Sequence, residues 1–140
     1  MSHRSLSVAG WGLGLFCVLA SPDVGAAGAP AGETVETQPR FIHTVLFWLK
    51  PGVTPQQKDQ LIRDCKELLG AIPTVRYLAA GKPAGTPRPV VDNSYHVGLV
   101  VHFDDRAGHD AYQTAPKHEE FIQRNQAIWE RVQVYDLLVE

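Results

Sequence analysis

Two segments of this chain alternate like β-strands and carry apolar residues on both sides, a pattern that leaves few folds open. In residues 95–103, Tyr95, Val97, Leu99, Val101 and Phe103 point one way and His96, Gly98, Val100 and His102 the other. In Phe41–Leu49, His43, Val45, Phe47 and Leu49 share one side, and Ile42, Leu46 and Trp48 the other. Helices from the same chain can cover only one face of a single sheet. The second apolar face therefore needs a second layer, and the simplest source is another copy of the same sheet. The pattern predicts a homodimer.

The rest of the chain supplies the helices. Thr54-Pro55-Gln56-Gln57 opens one with a capping box and a proline at the first helical position. Leu61, Ile62, Cys65, Leu68, Leu69 and Ile72 make its apolar stripe, and Gly70 and Pro73 end it. Residues 75–82 read as a second strand and 83–94, with three prolines, as a loop. Asp104 is placed to cap a helix through Ala107, Ala111, Tyr112 and Ala115. Pro116 interrupts it, a further helical piece carries Phe121, Ile122 and Trp129, and 132–139 is the last strand. The order β-α-β-β-α-β predicts an α+β fold: a four-stranded antiparallel sheet of ferredoxin-like topology.

This domain is expected to occupy residues 41–140. Residues 1–27 have the layout of an export signal: His3 and Arg4 at the head, an apolar stretch from Val8 to Ala20, and small residues through Ala27. Cleavage is expected after Ala26 or Ala27, and the destination is the periplasm or the outside of the cell. Residues 28–40, rich in Gly, Pro and Ala, read as a flexible linker. Loss of the signal removes Cys17 and leaves Cys65 alone, read as a small core residue. A net charge of -2 with no basic stripe argues against nucleic acid. No run of 18 apolar residues lies in the body of the chain, so no span is expected once the signal is gone.

Four segments carry a family resemblance. Residues 43–54 (HTVLFWLKPGVT) resemble the opening of the stress-responsive A/B barrel (Dabb) proteins. Residues 94–103 (SYHVGLVVHF) resemble their third strand, and 111–118 (AYQTAPKH) their Tyr-x-x-His-Pro-x-His segment. Residues 134–136 (VYD) resemble their closing strand. The resemblance covers nearly all of 41–140 in order and implies a dimeric α+β barrel. One plant member closes a linear polyketide by aldol condensation without metal or organic cofactor. Its pocket histidines and tyrosine correspond to His43, His96, His118 and Tyr112. This chain departs from the pattern at Ala115, where the motif often has a histidine, and at Cys65, where that cyclase has a second pocket tyrosine.

Three functions fit. The first is a binding protein for a small hydrophobic or aromatic molecule, with His43, His96, Tyr112 and His118 as polar contacts. The second is a cofactor-free cyclase or lyase, with His118 taking a proton beside a carbonyl and Tyr112 holding the enolate oxygen. The third is a stress-protective dimer without a ligand, in which Tyr112 is a packed helix residue and His118 bonds to backbone. No cofactor and no metal are expected. There is no haem-attachment motif, and no His-x-His, His-x-x-x-His or His-Glu-x-x-His spacing. His96 and His102 lie about 20 Å apart along one strand, and His102 and His109 read as surface residues. Spacing alone leaves open a metal site assembled in three dimensions from His43, His96 and His118.

Overall fold

The computed structural model describes residues 38–140. The expected signal peptide, and all of the linker up to residue 37, lie outside the described residues. Four strands and three α-helices follow in the order β1 (Phe41–Leu49), α1 (Pro55–Asp64), β2 (Tyr77–Gly81), β3 (Val97–Phe103), α2 (Arg106–Gln113), α3 (Pro116–Asn125) and β4 (Trp129–Leu138). The sheet order is β2-β3-β1-β4 with every pair antiparallel. This is the ferredoxin-like arrangement.

Local chemistry explains the boundaries. Thr54 and Gln57 close the capping box that starts α1: the Thr54 hydroxyl accepts from Gln57 N–H at 3.2 Å and the Gln57 amide oxygen from Thr54 N–H at 2.9 Å. Past Asp64 the helix widens into a π-turn, Cys65–Leu69, closed by Gly70 N–H to the Cys65 carbonyl at 3.2 Å. A β-carbon on Gly70 would sit 2.4 Å from the Lys66 carbonyl oxygen, so the turn requires glycine there. Asp105, not Asp104, caps α2, accepting from Gly108 N–H at 2.8 Å. Asp104 instead pairs with Arg76 at 2.7 Å. Pro116 opens α3 at its first turn, so the break expected there separates two helices. Trp129, expected on the last helix, begins β4.

One side of the sheet carries the core. His43, Val45, Phe47 and Leu49 of β1 and Val97, Leu99, Val101 and Phe103 of β3 are all buried against the helices. Cys65 is buried among them, and its thiol pKa is pushed up to about 12, first by burial and then by the neighbouring Asp64 carboxylate. It stays a thiol, as its place on the apolar stripe implies. Asp64 is itself buried, accepting from Gln60 Nε2 at 2.8 Å and from Asn125 Nδ2 at 3.0 Å. That carboxylate ties α1 to α3. Asp64→Ala should therefore cost about 2–3 kcal/mol, because it deletes charged hydrogen bonds and strands a buried Asn125 donor. Urea denaturation checks this, and an unchanged midpoint would show that the network is not holding the helices.

The opposite face has no layer over it among the described residues. Leu46 and Val100 are half-buried there, while Tyr77, Tyr135 and Leu137 are more than half exposed. The Arg131 guanidinium lies 3.5 Å from the centre of the Trp48 ring on the same side. The unpartnered apolar face read from the two strands is present.

Candidate functional site

Register decides which predicted residues meet. His43 sits on the helix-facing side of β1, opposite Val101 on β3 and Asp136 on β4. Its Nδ1 lies 2.6 Å from Asp136 Oδ1. Tyr112, on the inner face of α2, packs edge-on to His43 with ring centres 5.9 Å apart. His118, in the first turns of α3, packs against Tyr112 at 4.7 Å. The break at Pro116 lets these two residues face each other from different helices.

His43, Tyr112 and His118 line one cavity of about 170 Å3, walled by Val45, Phe47, Leu99 and Phe121 and bordered on the β4 side by Trp129 and the exposed Val132 and Val134. Two buried polar atoms on its lining residues have no hydrogen-bond partner among the described residues: His118 Nδ1 and Trp129 Nε1. An unpaired buried polar atom costs about 1–3 kcal/mol.

His96 is elsewhere. Its parity puts it off the His43 face, and its Nδ1 accepts the Leu49 N–H at 3.0 Å. It lines a separate hollow with the Lys50–Val53 turn, Lys58 and Glu130. The four residues expected to share a pocket are thus three, with His96 apart. Nor do His43, His96 and His118 make one metal site.

Two further residues join the cluster. His109, expected at the surface, is largely covered: it stacks on Phe41 at 4.5 Å and lies 5.0 Å from His43. It stands three residues before Tyr112, hence on the same face of α2, and that spacing was the readable sign. Asp136 had none, because its meeting with His43 depends on the pairing of strands 93 residues apart.

The electrostatics favour neutral rings. Burial lowers the His43 pKa below its ordinary 6.5, with the Asp136 hydrogen bond opposing it. Burial, then the nearby His43, lowers that of His118. Burial raises that of Tyr112, which stays a phenol able to donate. The cavity thus offers two imidazoles able to accept a proton and one hydroxyl able to give a hydrogen bond.

Residues 41–139 match the family described as the Stress responsive A/B Barrel Domain. The chain belongs to the Dabb family. A dimeric ferredoxin-like protein of unknown function from Thermobifida fusca is similar to this Dabb chain at 25% identity, over 75% of this chain and 96% of that one, with a TM-score of 0.63. A Dabb protein with a ferredoxin-like fold from Mesorhizobium loti is 26% identical over 74% and 99%, with a TM-score of 0.61. The hydroxynitrile lyase from Passiflora edulis shares the fold at 19% identity, over 74% and 96%, with a TM-score of 0.63. No curated protein matches this Dabb sequence.

Proposed function

We propose that this chain is an exported homodimer that binds a small, single-ring aromatic carbonyl compound in the cavity of each subunit. The observation that carries the reading is an apolar cavity with two unpartnered buried polar atoms, His118 Nδ1 and Trp129 Nε1, on its lining residues. An indole N–H can only donate, so the matching ligand group is an acceptor such as a carbonyl oxygen. A cavity near 150 Å3 holds benzene, and about 170 Å3 leaves room for one ring with a short substituent. The uncovered sheet face and the dimeric Thermobifida relative support the dimer. The composition of residues 1–27 supports export to the periplasm or beyond.

A second reading has its own support. The pairing of His43 with Asp136 is how a histidine base is held in one orientation, and a Dabb-like fold carries lyase activity in Passiflora edulis. Here an imidazole, that of His118 or His43, takes a proton from the ligand. The Tyr112 hydroxyl then donates to the oxygen that gains charge.

Titration with acetophenone, followed by isothermal titration calorimetry, tests the binding reading. Saturable binding is expected, with a two-ring analogue such as acetonaphthone excluded. Val134 is 42% exposed at the β4 side of the cavity, so Val134→Trp should narrow the site without harming the core. At least a tenfold loss of affinity is expected with the melting temperature unchanged. Equal binding of one-ring and two-ring compounds, indifferent to Val134→Trp, would place the ligand outside this cavity.

A further inference from the structure

We propose that His43, His109 and Asp136 form a binding site for one divalent transition-metal ion of the zinc class. They come from β1, α2 and β4, and one ligating atom from each lies within 4.8 Å of those of the other two. Ligand atoms around a tetrahedral ion with bonds of about 2.0 Å sit about 3.3 Å apart. His43 and Asp136 are already closer than that, at 2.6 Å. His109 needs to approach by about 1.5 Å at most, a movement within reach of ring and carboxylate rotation. Neither His109 nor Asp136 lines the ligand cavity, so the proposal rests on this cluster and not on what the cavity binds.

The donor set selects the ion. Two imidazoles and one carboxylate suit zinc, cobalt, nickel and copper, whereas magnesium and calcium prefer oxygen alone. Access is present, since the Asp136 side chain is 41% exposed while those of His43 and His109 are 6% and 12% exposed. His109 is also steadied. Gln113 Nε2 lies 2.9 Å from its Nε2, and Asp110 Oδ1 lies 3.5 Å from its Nδ1. Whichever nitrogen takes the ion, the other keeps a polar neighbour, as ligating histidines usually do. An ion seated between His43 and Asp136 takes Nδ1, and the ring proton moves to Nε2. No net proton is released by that ring.

The test uses the purified protein without a histidine tag, titrated with cobalt(II) and read by visible absorption, with zinc(II) as competitor. One equivalent is expected per chain, displaced by zinc. His109→Ala and Asp136→Asn should each weaken binding at least tenfold. Less than one equivalent, or equal affinity in the unmodified protein and both variants, overturns the site. Copper(II) electron paramagnetic resonance on the unmodified protein needs no variant to fold. Two equatorial nitrogens are expected, and a spectrum with one or none overturns the proposal.

Discussion

Leu46→Asp should convert the proposed homodimer to a monomer, raising its dissociation constant at least about 100-fold. Leu46 lies in the middle of β1 on the uncovered face, opposite Gly98 of β3 and Gln133 of β4. If a second sheet packs there, the new carboxylate is buried without a partner, at a cost of several kcal/mol. A two-fold interface contains the substitution twice, so the penalty counts twice. The core on the other side of the sheet is untouched, so the circular dichroism spectrum and cooperative unfolding should survive. Sedimentation equilibrium at micromolar concentration reads the outcome. A dimer that persists would move the interface away from this face.

The second large effect concerns His118. If His118 is the base in proton transfer on an aromatic carbonyl substrate, His118→Ala should lower turnover by about 10²–10⁴. If the cavity only binds, the same change weakens binding modestly and leaves no rate to lose. The pH dependence follows from burial. His43 and His118 both have folded-state values below 6.5, so they stay neutral where unfolded histidines begin to take up protons. Below pH 6.5 the unfolded chain binds more protons than the folded one, and stability falls as pH drops. Above pH 6.5 this contribution is fully present. Asp59 and Asp92, whose values lie below 3.8, do not interfere between pH 6.5 and 5. Urea denaturation at pH 8 and pH 5 should show the lower stability at pH 5. Equal or greater stability at pH 5 would contradict the buried neutral rings.

The sheet was legible because strand alternation is local. Val97, Leu99, Val101 and Phe103 are buried in the order their parity demands, and the half-buried residues between them make the second face. Thr54 and Pro116 marked two helix starts because capping and proline chemistry act within one turn. Asp104 and Asp105 are equivalent as caps in the sequence, and only the pairing of Asp104 with Arg76 leaves the cap to Asp105. Trp129 reads as helical in the sequence because one apolar residue after a helix carries no period of its own, yet it begins β4. The site was legible in part. His43, Tyr112 and His118 converge as the family resemblance implied, but His96, which the same resemblance placed with them, is held elsewhere by its bond to Leu49 N–H. Asp136 depended on long-range register, which residue spacing does not encode.

On the proposed reading, His43, Tyr112 and His118 form one ligand site inside each chain. Imidazole NMR during titration with acetophenone tests it most directly, because each histidine ring reports separately. The His43 and His118 signals are expected to shift together and saturate at one ligand per chain, while His96 and His102 stay fixed. Shifts at His96 or His102 with none at His118 would contradict it.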